Sequence, residues 1–140
     1  MSKSNRGVAL VAGASSGIGE TTAKQRHEPR TMFEERPMSN LQWKNVPTRT
    51  IEVGGVPFAY RELGLNSGVP VIFLHHLMAV LDDWDPRVID GIAAQRRVIA
   101  FDNRGVGASG GSVPHTVEAM GRDAIAFIRA LGLKKVDLLG

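Results

Sequence analysis

The chain has 140 residues, 43% of them hydrophobic and 22% charged, which is the composition of one globular domain and excludes a disordered or fibrous protein. Its 17 Lys and Arg exceed its 14 Asp and Glu by only three, without a basic stripe, so we expect no nucleic acid as a partner. The absence of cysteine excludes disulfides and thiolate metal sites. The longest apolar stretch, residues 69–81, is interrupted by two histidines and is shorter than the roughly 20 residues of a membrane span. We therefore expect a cytoplasmic protein without membrane contact.

The first 25 residues carry a strand, a glycine-rich turn and the start of a helix. Residues 8–12 are all apolar and predict a short buried strand, and the turn follows at residues 13–19. This segment resembles the opening of short-chain dehydrogenase/reductases, Thr-Gly-x-x-x-Gly-x-Gly, with Ala12 where Thr is usual. The resemblance implies that a dinucleotide phosphate would meet the following residues: Gly13, Ser15, Gly17, Ile18 and Gly19.

The remainder of a dehydrogenase is not found in the sequence. Its Tyr-x-x-x-Lys motif is missing, because Tyr60 is the only tyrosine and Gly64 stands four residues after it. Residues 26–37 contain two prolines and no helix or strand period, so they predict an irregular junction. We expect no bound cofactor. Residues 3–14, with two early basic residues and a small-x-small pattern, also allow a signal peptide, although their apolar core is minimal.

A second and more regular pattern begins near Met38 and runs to the last residue. It predicts a hairpin over residues 50–61, then alternating strands and helices. The strands are expected at residues 69–74, 98–101 and 136–139, and the helices after the capping residues Asp85 and Thr116. Such alternation predicts an α/β fold with a mainly parallel sheet behind an N-terminal hairpin, occupying residues 38–140.

Both predicted helices are amphipathic. The apolar stripe of the first consists of Val88, Ile89, Ile92 and Ala93. The apolar face of the second consists of Val117, Met120, Ala124, Phe127, Ile128 and Leu131, and Gly132 is expected to end the helix.

Three local patterns in this second part resemble α/β-hydrolases. Residues 73–77 (Phe-Leu-His-His-Leu) resemble the strand that the family ends with His-Gly-x. Residues 101–109 resemble its Asp-x-Arg-Gly-x-Gly-x-Ser turn, and residues 136–140 resemble the strand that leads into Gly-x-Ser-x-Gly. The three patterns occur in the family's order, which makes their combination more specific than any one of them.

The resemblance implies a serine hydrolase that acts on an ester, lactone or similar bond of a small-molecule substrate. Gly140 would be the first glycine of the nucleophile turn, and the Ser would follow two residues later, with the acid and the His base further on. No catalytic residue is therefore assigned, and the 140 residues are expected to be a truncated, inactive fragment. The one oxyanion-hole donor that the resemblance places here is the backbone N–H of Leu77, after His76 in the position of the usual Gly.

The same resemblance predicts the order of the parallel strands. Residues 71–74 should lie between residues 97–101 and residues 136–139, which leaves the last strand as an exposed edge. Self-association through this edge is one expected consequence. Two other functions stay open: the remnant of a nicotinamide-dependent dehydrogenase, and a noncatalytic interaction module that uses the unpaired edge.

Several short motifs allow other interpretations. Residues 13–17 and 107–111 both match Gly-x-Ser-x-Gly, and residues 105–110 match Gly-x-Gly-x-x-Gly, but their order or surroundings differ from those of the functional motifs. A metal could be bound by His75, His76, Asp82, Asp83 and Asp85, but neighbouring side chains on a strand point to opposite faces. We expect no metal and a structural role for His75. We expect Asp102 and Arg104 to hold their loop by hydrogen bonds.

Overall fold

A computed structural model describes residues 41–140 of the chain. The predicted dehydrogenase-like segment (1–25), with its five phosphate-binding positions, and the junction (26–37) lie outside the described residues. The elements in chain order are β1 (Arg49–Val53), β2 (Val56–Leu63), β3 (Val71–Phe73), a 3₁₀ turn (Leu81–Asp83), α1 (Pro86–Ala93), β4 (Val98–Phe101), α2 (Val117–Ala130) and β5 (Asp137–Leu139).

The five described strands form one sheet in the order β1-β2-β4-β3-β5. The β1–β2 hairpin and the β2–β4 pair are antiparallel, whereas β4, β3 and β5 run parallel. The hairpin turns at Gly54 and Gly55, whose φ values of 58° and 83° favour glycine. These features confirm the predicted α/β fold, the hairpin and the strand order, in which β3 lies between β4 and β5.

Both helices begin at the predicted caps. The Asp85 carboxylate accepts the N–H of Arg87 at 2.9 Å, and the Thr116 hydroxyl accepts the N–H of Ala119 at 3.1 Å. Gly132, with φ +76°, follows the C-cap of α2.

The apolar faces are narrower than predicted. Val88 is 47% exposed and Val117 is 79% exposed, so neither belongs to the core. Both lie in the first turn of their helix, at the end where the helix begins to pack on the sheet. The prediction was wrong for these two residues, because a periodic stripe does not indicate where the neighbouring sheet ends.

The core has two halves, one on each face of the sheet. The half under α1 is centred on Trp43, Phe73 and Ile89, each no more than 1% exposed. The half under α2 is centred on Phe58, Phe101 and Phe127, whose rings lie within 6.3 Å of one another. β3 and β4 are buried on both faces, as strands covered by helices should be. Neither helix found between residues 41 and 140 has the length and apolar content needed to cross a bilayer.

Candidate functional site

A cavity of about 280 Å³ opens where β3 and β5 end at the same edge of the sheet. In open parallel sheets, ligands bind outside the carboxyl ends of the strands. The cavity is lined by Leu74, His75, His76, Ala79, Asp83, Trp84 and Gly140. Four of these residues, Leu74, His75, His76 and Ala79, belong to the loop that follows β3, residues 74–80, which we name the β3 loop. The cavity is thus built from the segment that the sequence analysis selected and from the last residue of the chain.

His75 and Trp84 form a hydrogen-bonded wall of the cavity. The indole Nε1–H of Trp84 donates to Nε2 of His75 at 3.1 Å, and the ring of Trp84 packs edge-on against Phe73 with centroids 4.7 Å apart. Burial lowers the pKa of His75 from its ordinary value, although the charges of Asp102 and Asp83 oppose that shift. The expected structural role of His75 is consistent with this bond, but Trp84 was missed by the sequence analysis.

Two carbonyls at the centre of the β3 loop are held by one side chain from outside it. The carboxamide Nδ2 of Asn103, a buried residue, lies 3.2 Å from the carbonyl oxygen of His76 and 3.4 Å from that of Leu77. Among the hydrogen bonds formed within residues 41–140, none has the backbone N–H of Leu77 as its donor. This N–H is therefore available to a ligand, whereas both neighbouring carbonyl groups already accept a hydrogen bond from Asn103.

His76 in place of the family's usual glycine does not strain the loop. No non-glycine residue between 41 and 140 has a positive φ, so the backbone at His76 lies in a region that any residue adopts. The His76 side chain is exposed. The loop thus accommodates a Cβ at this position.

The loop after β4, residues 102–110, is named the β4 loop, and Asp102 is its centre. The Asp102 carboxylate is 3% exposed and accepts the N–H of Leu81 at 2.8 Å and the N–H of Ala108 at 2.9 Å. Gly107, with φ +58°, packs against this carboxylate, and a Cβ there would lie 2.3 Å from Oδ2. Asp102 therefore joins the β4 loop to the 3₁₀ turn that borders the cavity.

Ser109 and Arg104 complete the β4 loop. The buried Ser109 hydroxyl donates to the carbonyl of Asp102 at 2.8 Å and accepts the N–H of Ala59 at 2.9 Å. Arg104 forms two hydrogen bonds with Asp123 of α2, at 3.0 and 2.8 Å, which raise the pKa of its guanidinium. The expected hydrogen-bonding roles of Asp102 and Arg104 are thus confirmed. Because the Ser109 hydroxyl is buried and used twice, the Gly-x-Ser-x-Gly match at 107–111 does not expose a nucleophile.

Gly140 lies against the end of β3. A Cβ at Gly140 would lie 3.2 Å from Cβ of Leu74 and 3.3 Å from its carbonyl oxygen, which is tighter than ordinary contacts. The Leu74 N–H also donates to the carbonyl of Leu139 at 2.8 Å. The chain after β5 therefore passes close to the β3 loop, where a glycine fits best.

The candidate metal ligands have other partners. Asp82 pairs with Arg61, Asp83 accepts the N–H of Val80, and Asp85 binds Arg87, whose hydrogen bonds lower the pKa of Asp85 to about 2. The part of the chain that the structure describes contains no group of three or more His, Asp or Glu side chains placed to hold a metal ion.

The sequence model for the alpha/beta hydrolase fold matches residues 69–140, which is half of the chain. The chain belongs to the α/β-hydrolase fold family. The match covers the β3 loop, the β4 loop and β5, and it does not reach the dehydrogenase-like segment, which stays a prediction without support.

Individual relatives agree with this assignment. A non-heme chloroperoxidase from Streptomyces lividans is 35% identical over 87 residues, or 61% of this chain and 32% of that protein. An alpha/beta hydrolase fold protein from Chitinophaga pinensis superposes with a TM-score of 0.69 at 45% identity, covering 71% of this chain and 36% of the other. The haloalkane dehalogenase DatA from Agrobacterium tumefaciens C58 gives a TM-score of 0.57 at 26% identity, covering 66% and 31%. The chain spans about a third of the length of the relatives it matches.

Proposed function

We propose that residues 38–140 are the N-terminal half of a serine-type α/β-hydrolase domain whose complete form acts on an ester, lactone or similar bond. The observation that supports this most directly is the cavity that joins Gly140 to the β3 loop. In this family a serine that follows such a glycine attacks a carbonyl carbon, and the resulting oxyanion needs N–H donors on the opposite side. A nucleophile two residues after Gly140 would enter the cavity beside this loop.

The backbone N–H of Leu77 is the proposed oxyanion donor of this half. It follows the strand end that the family uses for this purpose, and its neighbouring carbonyls are held by Asn103. A preorganised N–H gains catalytic value because it does not reorient when charge develops on the substrate oxygen. The second donor would be the N–H of the residue after the serine.

The 140 residues by themselves are proposed to be catalytically incompetent. They include the first glycine of the nucleophile turn but none of the three side chains of the triad, which act as a unit. Purified protein is therefore expected to hydrolyse short-chain p-nitrophenyl esters no faster than the buffer does. Activity that persists through purification and is abolished by Ser15→Ala or Ser109→Ala would contradict this proposal.

A chimera tests the proposed role of the half domain. Residues 1–140 would be joined to the segment that follows the matched region in the Chitinophaga pinensis protein. Esterase activity is expected in the chimera, and Leu77→Pro, which removes the N–H, should lower kcat by about 10²–10³-fold. Leu77→Ala is the matched control, since it keeps the N–H. Equal loss in both variants, or none in either, would exclude Leu77 as the donor.

A noncatalytic function is the second candidate, and it rests on β5. Among the described strands β5 pairs only with β3, and Leu138 at its centre is 50% exposed. An open edge with an apolar side chain promotes strand pairing with another copy. We expect concentration-dependent association and binding of the dye ANS, both reduced by Leu138→Lys, in sedimentation and fluorescence measurements. A monomeric protein without ANS binding would reject this candidate.

A further inference from the structure

We propose that His75 is a positioning residue: its Nε2 holds the indole of Trp84 as a wall of the cavity, and only the neutral imidazole can do so. The proposal rests on the proposed function only in taking the cavity as a substrate site. Its test uses the 140-residue chain and no enzymatic activity, so a failed hydrolase assay leaves it standing.

The chemistry of the two rings makes the bond one-directional. An indole nitrogen is a donor only, so its partner at 3.1 Å must supply a lone pair. A neutral imidazole with its proton on Nδ1 has that lone pair on Nε2, whereas an imidazolium has a proton on both nitrogens. Protonation of His75 therefore breaks this hydrogen bond, because the N–H on Nε2 then faces the N–H of the Trp84 indole.

The remaining contacts of Trp84 are apolar and aromatic. Phe73 supports one edge of the indole at a centroid distance of 4.7 Å and an angle of 81°, and the His75 ring lies 5.4 Å away on another side. Trp84 follows the short 3₁₀ turn in an extended conformation and is only half-buried. The hydrogen bond to His75 is the polar contact that selects one orientation of the ring over the cavity.

Burial, and to a smaller extent three titratable groups, set the pKa of His75 and so the pH at which it releases Trp84. Asp102 at the end of β4 and Asp83 in the 3₁₀ turn favour the charged imidazole, whereas its neighbour His76 opposes it. Burial opposes it more strongly and lowers the pKa of His75. The wall is therefore expected to be in place at neutral pH and to loosen in mildly acidic solution.

Nuclear magnetic resonance of the ¹⁵N-labelled chain tests this directly. The two tryptophans give two indole N–H signals, assigned by the loss of one in Trp84→Phe. We expect the Trp84 signal to shift along a single titration curve as the pH falls below about 6.5, the ordinary pKa of histidine. The signal of Trp43, whose Nε1–H donates to the carbonyl of Leu81 at 3.0 Å, should stay constant.

Two variants assign the titrating group. His75→Gln offers a carbonyl oxygen that accepts the indole N–H at any pH, so the Trp84 titration should vanish while the fold is retained. His76→Gln is the matched control and should keep the titration. A Trp84 signal independent of pH in the unmodified chain, an unchanged curve in His75→Gln, or a lost curve in His76→Gln would each overturn the proposal.

A measurement on the unmodified chain covers the case in which His75→Gln does not fold. Long-range ¹H–¹⁵N spectra at pH 8 distinguish the imidazole tautomers, and the proposal requires the proton on Nδ1 of His75. A proton on Nε2 at that pH would overturn it, because Nε2 could then not accept the Trp84 indole.

Discussion

The β3 loop and the β4 loop both follow a buried parallel strand, yet they are built in opposite ways. Side chains of the β4 loop fix its own backbone: the Asp102 carboxylate accepts the N–H of Ala108, and the Ser109 hydroxyl donates to the carbonyl of Asp102. In the β3 loop, the carbonyls of His76 and Leu77 accept from Asn103 and the Val80 N–H donates to Asp83, both of which lie outside the loop, and the N–H of Leu77 has no partner within the described residues. The comparison indicates that the β4 loop is fixed by its own side chains, whereas the β3 loop depends on side chains from other segments and keeps an unpaired N–H at Leu77.

The largest expected loss of stability comes from removing the Asp102 carboxylate at the centre of the β4 loop. Asp102→Ala leaves the buried N–H of Leu81 and the partly buried N–H of Ala108 without their charged acceptor, which should lower the free energy of unfolding by about 3–6 kcal/mol. Asp102→Asn keeps one carbonyl acceptor and should lose less. Asp82→Ala is the matched control, because that side chain is 77% exposed in a surface ion pair and should lose about 1 kcal/mol at most. Urea unfolding would rank the three variants, and an Asp102→Ala loss as small as that of Asp82→Ala would contradict the supporting role.

Ser109→Ala should have the next largest effect. The hydroxyl bridges Ala59 and Asp102, so its removal leaves a buried N–H in β2 unpaired and should cost about 1–3 kcal/mol. The exposed Ser112 in the same region provides the comparison, since Ser112→Ala is expected to change stability by less than about 0.5 kcal/mol. Equal denaturation midpoints for the two variants would mean that the β4 loop does not depend on this bridge.

The pH dependence of stability should distinguish the two loops through His75. Its folded pKa lies below the unfolded value of 6.5, so the unfolded chain binds more protons as the pH falls. The stabilisation is complete above pH 6.5 and is lost as the pH falls through the folded pKa. His75→Gln should therefore flatten the dependence of the unfolding free energy on pH below about pH 6.5, whereas His76→Gln is the control. An identical slope in His75→Gln would show that His75 does not titrate differently on folding.

The smallest effect is expected at the tip of the β3 loop. Met78 is 63% exposed, so Met78→Ala should change the free energy of unfolding by less than about 0.5 kcal/mol. Val106 of the β4 loop is 5% exposed, and Val106→Ala should cost about 1–2 kcal/mol. Thermal melts of Met78→Ala and Val106→Ala measure the difference in stability between them. The two losses should be equal if the β3 loop is as tightly packed as the β4 loop.

Local signals were sufficient to predict the framework of the fold. The caps at Asp85 and Thr116, the Gly54–Gly55 turn and the apolar strands depend on neighbours in sequence, and the structure agrees with each. The strand order came from the family resemblance, since no local signal specifies which strands become neighbours.

The partners within the site could not be predicted in the same way. Asn103 lies 27 positions from the carbonyl of His76, and Trp84 reaches back nine positions to His75. No periodic pattern or motif spacing in the sequence signals either contact, because each depends on the path of a loop over the edge of the sheet. The one hint in the sequence is a tryptophan nine positions after a strand-end histidine. It becomes informative only when the 3₁₀ turn between them is known.

The ion pair between Arg96 and Asp137 has a consequence for the kinetics of folding. Arg96 donates to both the Val69 carbonyl and the Asp137 carboxylate, and so joins the start of β5 to a residue 41 positions earlier. The hairpin can close within about 1–10 μs, whereas we expect β5 to pair with β3 late, because their register joins Val71 to Asp137 across α1, β4 and α2. The amides of β5 should accordingly be the last to gain protection during refolding and the first to exchange with deuterium in the native protein.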